Sequence, residues 1–426
     1  MSQKKSWFRM RPILAVLTIA LMLPLASWGA SKYKVLYKFT GGADGGTPNG
    51  LIIDKLGNLY GTTSAGGATG NGTVFKLEPL PGGTWKETVL HSFSGPDGAT
   101  PLAALVFDAS GNLYGTTWQG GSSCMFFEHG CGVVFKLRPK PDGTWTEHVL
   151  HKFKGGFDAA APVGGLIFDK AGNLYGTTEA LGTGGAGDVY QLKRNANGTW
   201  TENILYMFTG NGPDGVSPTS SLVFDSAGNL YGTTAEGGNM NCPDGFYGCG
   251  VAFKLTPNPD GSWSESLPYT FCSAAVCADG SWPNAALLFD KAGNLYSTTQ
   301  FGGLTSNGTV FRLSESGGSW NENVLYNFDG VHGSDPYASL VFDAAGNLYG
   351  TTRNGGSANG GSAYGVAFKL SPSLVGTWTY TVLHVFRGNP GLNPMAGLVL
   401  DGAGHLYGTT SGCGAGCMGV VFEITP

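Results

Sequence analysis

The sequence predicts an all-β chain folded as a seven-bladed β-propeller, with the last blade closed by the N-terminal strand. Three observations carry this reading. A Gly-Asn/His-Leu-Tyr signature starts at Gly57, Gly111, Gly172, Gly228, Gly293, Gly346 and Gly404, with gaps of 54, 61, 56, 65, 53 and 58 residues. A period of this length marks stacked repeats rather than one continuous core. Each repeat also holds four short runs rich in β-branched and aromatic residues, bounded by Gly, Pro, Asn and Asp, with no helical period. Finally, the two chain ends complement each other.

In the second repeat the four runs are residues 104–108, 112–117, 132–137 and 144–153. They are expected as the inner, second, third and outer strands of one blade. The link from inner to second strand opens on an Asp in every copy: Asp54, Asp108, Asp169, Asp225, Asp290, Asp343 and Asp401. A short loop with a late Gly suits a type I turn followed by a left-handed glycine, and the Asp can accept from the backbone two residues on. Turn chemistry therefore accounts for these carboxylates; a ring of metal ligands is the other reading. His91, His151 and His384 fall where other copies have Tyr37, Tyr206, Tyr269 and Tyr326, so they read as packing positions.

Residues 34–39 form an outer strand with nothing before it, and residues 420–425 a third strand with no outer strand after it. Joining them closes the ring and removes an open edge, whereas an open solenoid would show caps. Small pairs precede the inner strands, such as Ala103-Ala104, Gly164-Gly165 and Ser220-Ser221, as crowding at a common axis requires. Trp85, Trp145, Trp200, Trp263, Trp320 and Trp378 share one outer-strand position and read as structural.

Residues 1–30 read as a signal peptide: Lys4, Lys5, Arg9 and Arg11, then an apolar run over 13–25, then small residues to Ala30. Residues 31–426 form the propeller, and the mature chain is expected to be secreted or periplasmic, monomeric and without a membrane span. With 12% charged residues and a net charge of −5, the chain lacks the basic footprint that nucleic acid requires.

The run from Gly165 to Asp169, followed by Gly-Asn-Leu-Tyr-Gly-Thr-Thr, together with the recurrent Val-Phe-Lys-Leu, resembles the GloVer tandem repeat of exported bacterial proteins described by a choice of anchor. The resemblance spans the mature chain, seven-fold, and implies export; it brings no activity with it. Members often end in a sorting segment, and none is seen before Pro426. More distantly, Asp-x-x-Gly-Asn-Leu-Tyr is similar to NHL and gluconolactonase-like propellers, some of which are enzymes. None of their catalytic or metal positions can be matched to a residue here.

Topology assigns the second-to-third loops and the outer-to-inner crossovers to one face, which holds nearly all the variation between copies. Function concentrates on variable loops carried by a rigid frame. All eight cysteines map there as local pairs, expected as Cys124–Cys131, Cys242–Cys249, Cys272–Cys277 and Cys413–Cys417 disulfides. A zinc site is the alternative, disfavoured because the pairs sit on separate blades. Trp118 and Trp282, outside the outer-strand set, fall on the same face with Phe126, Phe127, Phe246, Tyr247 and Phe301. They read either as packing beneath the disulfide loops or as an aromatic platform for sugar rings or a protein partner.

Asp44, Asp97, Asp158, Asp214 and Asp279 each stand four residues before a Pro in the crossovers. Turn chemistry explains them, and a calcium or polar-ligand ring is the alternative. No nucleophile has an evident base, though Glu128, His129, Glu179, Glu236, His332 and Arg353 could meet near the mouth. The expectation is a recognition module for an extracellular glycan or cell-surface protein, with Trp118, Trp282, Glu179, Arg353 and Phe301 as ligand contacts and no assigned cofactor or metal ligand. A carbohydrate-active enzyme and a structural scaffold are the alternatives.

Overall fold

A computed structural model of the chain describes residues 31–124, 128–156, 158–179, 185–210, 212–242, 247–357 and 363–426. Residues 1–30, Phe126, Phe127 and Phe246 lie outside the described residues. Seven four-stranded antiparallel sheets form a ring, each in the order inner, second, third, outer. In blade 2 these are Val106–Phe107, Leu113–Thr117, Val133–Pro139 and Trp145–Lys152. Blade 7 is built from Val399–Leu400, Leu406–Thr410 and Val420–Thr425, and its outer strand is the N-terminal Lys32–Lys38. Lys32 pairs with Thr425 and Lys38 with Val420, with a bulge between Val35 and Tyr37. The same bulge recurs between the third and outer strands of every blade, as at Val134/Phe135, and adds local twist.

Inner strands are shorter than the apolar runs suggest. Six of them pair over two residues only, while the first runs over Gly46–Ile53. The physical reason lies just upstream. A residue in the left-handed region precedes a proline in all seven blades, Thr47, Thr100, Ala161, Ser217, Trp282, Asp335 and Asn393, at φ 52 to 59°. That conformation, with the proline after it, turns the chain off the ladder before it rejoins; in blade 1 the same break is a register shift between Pro48 and Leu51 inside the longer strand.

The core lies between blades. A phenylalanine ending each outer strand meets an aromatic residue on the third strand of the next blade, with ring centroids 5.0–5.3 Å apart around all seven seams. Most are edge-to-face, the arrangement the ring quadrupole favours. The outer-strand tryptophans are structural: Trp85, Trp145, Trp263, Trp320 and Trp378 each pack on the signature tyrosine of the preceding blade. In the Asp-x-x-Gly turns, Asp54 accepts from the backbone N–H groups of Leu56 and Asn58 and from the side chains of Asn58 and Tyr60. The other copies repeat this, with His405 replacing Asn in blade 7. Both carboxylate oxygens thus serve the turn. No helix among the described residues is long and apolar enough to cross a membrane.

Candidate functional site

Two backbone devices fix the variable face in register. In the Gly-Thr-Thr run the second hydroxyl donates to the carbonyl two residues on, as Thr117 does to Gln119, and accepts from the first N–H of the third strand. In every blade but the second, where Thr116 has no such bond, the first Thr donates to a carbonyl in or just upstream of the inner strand of the next blade, as Thr233 does to Ala285. The left-handed pre-proline residue then accepts from the residue that follows Gly-Thr-Thr: Trp118, Glu179, Ala235, Gln300, Arg353 and Ser411 donate their N–H to Thr100, Ala161, Ser217, Trp282, Asp335 and Asn393 at 2.9–3.2 Å. In blade 1 the Ser64 hydroxyl makes the corresponding contact with Thr47. Each blade therefore sets two variable side chains next to each other on an invariant backbone.

The pre-proline members of these pairs directly precede the segments that line the axis. The segments just beyond the prolines, including Leu102, Thr219, Asn284, Tyr337 and Met395, line an axial cavity of about 140 Å³ with residues from all seven blades. Trp118 and Glu179 come together; burial pushes the Glu179 carboxyl up and the neighbouring Trp118 side chain opposes the shift. Glu236 is pushed up first by burial and then by the charge of Glu179. Tyr337 is raised by burial and feels Glu179, Arg353 and Asp335 together. The other side of the mouth is a polar chain. Thr219 donates to Asn284 at 3.2 Å, and Asn284 donates to Gln300 at 2.5 Å. Gln300 in turn eases the charge of Asp335. Asp335 also accepts from Asn354 at 2.9 Å and lies 3.6 Å from the Arg353 guanidinium. Burial raises the Asp335 carboxyl although Arg353 pulls against it.

Trp118, Glu179, Trp282 and Arg353 thus occupy the paired mouth positions. Phe301 stands edge-on to Trp282 at 5.6 Å and supports that indole. Of the six acid, base and cation candidates, Glu179, Glu236 and Arg353 converge here. Glu128 and His129 instead line a separate groove of about 510 Å³ with Asn71, Pro96 and Gln119. His332 bonds Asp329 at 2.7 Å, and its carbonyl accepts from Tyr380. Tyr247 is exposed. Gln300, Asp335, Tyr337 and Asn284 were missed by the sequence reading. Aligning the repeats on the residue before the proline and the residue after Gly-Thr-Thr finds two of them.

The cysteines are joined as Cys124–Cys131, Cys242–Cys249, Cys272–Cys277 and Cys413–Cys417. Sulfurs of Cys249, Cys272 and Cys277 lie within 4.8 Å of one another, but as disulfides they offer no thiolate to a metal. The crossover Asp residues lie at the seams between outer strands. Asp97, Asp214 and Asp279 accept from a strand-end N–H and from His91, Tyr206 and Tyr269 respectively.

A family model described as the Gloeobacter/Verrucomicrobia repeat matches residues 25–140, 125–361 and 240–426. No curated protein matches the chain.

Proposed function

The chain belongs to the Gloeobacter/Verrucomicrobia repeat family, and from that premise we propose that it is an exported recognition module whose mouth binds a neutral, hydroxyl-rich extracellular ligand, a glycan. One observation carries the reading. The backbone of the mouth is held constant in seven copies while the two side chains it presents vary, and that variation places Trp118 and Trp282 beside Glu179, Gln300, Asp335 and Arg353. Indole faces accept the C–H faces of a sugar, and fixed acceptors and donors take its hydroxyls. Low overall charge argues against partners recruited by long-range electrostatics. The four disulfides suit an oxidising compartment.

A glycan array followed by calorimetry on residues 31–426 tests this. Wild type is expected to bind one glycan class, and Trp118→Ala or Trp282→Ala to weaken it about tenfold or more, since stacking on an aromatic ring contributes on the order of 1–2 kcal/mol. Equal binding by both variants would remove the tryptophans from the site.

One observation favours a second reading. Glu179 and Glu236, on neighbouring blades, are two carboxyls that feel each other at the mouth, the pairing a glycoside hydrolase uses. Turnover of a bound polysaccharide, abolished by Glu179→Gln, would select the enzyme. Capture of a protein with neither glycan binding nor turnover would select the scaffold.

A further inference from the structure

At five of the seven seams the outer strands repeat one contact: a Tyr or His of one blade, the crossover Asp after it, and a Glu from the Trp-x-Glu run of the next blade. Between blades 2 and 3 this contact is different. His151 Nε2 lies 3.3 Å from Asp158 Oδ1 and 3.6 Å from Glu202 Oε2. The three ligand atoms all lie within 4.8 Å of one another. The imidazole nitrogen makes no hydrogen bond of acceptable geometry, and neither does Asp158 Oδ2; Glu202 Oε1 lacks one as well, as do the matching oxygens of Glu87, Glu147, Glu265 and Glu322. Four-coordinate zinc with N and O ligands at about 2.0–2.2 Å separates neighbouring ligand atoms by roughly 3.3–3.6 Å. The His151 distances match that spacing.

Blade 3 also departs from its six sister copies directly behind this cluster. Its third strand begins Asp188-Val189-Tyr190, where the others have Thr or Val at the first position and Phe at the third. Asp188 is 1% exposed, and neither of its oxygens has a hydrogen bond of acceptable geometry. The Thr178 hydroxyl beside it eases its charge, and Asp188 in turn acts on Glu202. Tyr190 is fully buried with an unpartnered hydroxyl that feels Glu202. A repeat that only packs has no use for a buried carboxyl and phenol here, and burying them without partners is costly. The charge of Lys154 acts on both Asp158 and Glu202.

We propose that His151, Asp158 and Glu202 form a divalent transition-metal site of zinc type in the seam between blades 2 and 3, with Asp188 adding charge behind it. One imidazole and two carboxylates are an N/O donor set suited to such an ion. Side-chain exposures of 17% for His151 and 25% for Asp158 leave it reachable from solvent. The site is independent of the mouth and of whatever ligand the mouth takes.

The seam between blades 1 and 2 supplies an internal control. His91, Asp97 and Glu147 are the same three residue types, but His91 Nε2 is committed to Asp97 at 3.0 Å. The experiment strips residues 31–426 with EDTA, titrates with zinc by calorimetry, and counts bound metal after dialysis. The variants are His151→Tyr, which is the residue blades 3, 4, 5 and 7 carry in that slot, Glu202→Gln, and the control Glu147→Gln. Expected is one zinc per chain, with affinity lowered about tenfold or more in the first two and unchanged in the third. Two results overturn the proposal: wild type taking up no more zinc than His151→Tyr, or Glu147→Gln losing zinc as Glu202→Gln does. Thermal melting with and without zinc confirms that each variant is folded and reads the same linkage independently.

Discussion

A single glutamate, repeated, shows how much of this molecule is written one side chain at a time. Glu87, Glu147, Glu265 and Glu322 stand in Trp-x-Glu runs and face Asp44, Asp97, Asp214 and Asp279 of the neighbouring crossover. Burial first, and then the aspartate charge, raises the first three to about 7 and Glu322 to about 8. An unfolded Glu titrates near ~4.3. The folded chain therefore holds more protons between that value and pH 7–8, and stability present at low pH is lost as pH rises through that window. His91 and His384 work in the opposite direction, since burial lowers both, His384 to about 4. Substitution isolates the glutamates from that background. Glu265 faces Asp214 and Tyr206, and Glu322 faces Asp279 and Tyr269. Glu265→Gln and Glu322→Gln should each raise the melting temperature at pH 8 by roughly 1–2 °C after allowing for solvent screening, and change it little at pH 5. Melting curves at the two pH values check this; an equal shift at both would assign the effect to packing. In the two remaining seams aromatic pairs replace the carboxyls, with Tyr326 on Tyr380 and His384 on Tyr33, both stacked at 3.9 Å.

Strands and turns were legible because their signals are local. The Asp-x-x-Gly turn, the Gly-Asn-Leu-Tyr-Gly-Thr-Thr strand and the short cysteine pairs each lie within a few residues of chain. Inner-strand length was not legible, because it depends on a left-handed residue before each proline, and Thr47 or Trp282 gives no sign of that in its own chemistry. The mouth was half legible for the same reason. Trp118 and Trp282 stand out by residue type, whereas Asp335 and Gln300 do so only by position in the repeat. Tyr337 matters through Glu179, three blades away. The glycine of Gly-Thr-Thr shows how strictly the second strand is shaped. A Cβ at Gly115 would lie 2.7 Å from Phe135 and 2.8 Å from Leu105. Blade 5 alone carries a side chain there, and the Ser297 hydroxyl donates to the carbonyls of Ala285 and Ala286 at 3.1 Å. Gly115→Val should therefore cost about 1–3 kcal/mol by overpacking, and Gly115→Ser less than half as much. Denaturant midpoints measure both, and an equal cost would mean that Cβ itself, not bulk, is what the second strand excludes.

Closure of the ring is a property of the whole molecule, carried by residues 31–40. Lys32–Lys38 supplies the outer strand of blade 7 and covers the edge of Val420–Thr425. Its side chains hold both seams of that blade. Phe39 meets Phe75 of blade 1 at 5.0 Å, and Tyr33 stacks on His384 of blade 6 and donates to the Pro390 carbonyl. In the other blades the third and outer strands are joined by a turn of the chain, but in blade 7 the two are held together only by pairing, so the hydrogen bonds and aromatic contacts of this strand replace a loop. A chain beginning at residue 41 leaves an unpaired edge beside two half-built seams, and such edges template association. It should melt well below the chain beginning at residue 31 and elute as larger species at micromolar concentration. A synthetic peptide of residues 31–40 should reverse both effects, because strand addition to an exposed edge restores the missing main-chain bonds. If the shortened chain instead keeps the same melting temperature and elution volume, the remaining strands close the ring without it and the N-terminal strand is only a cover.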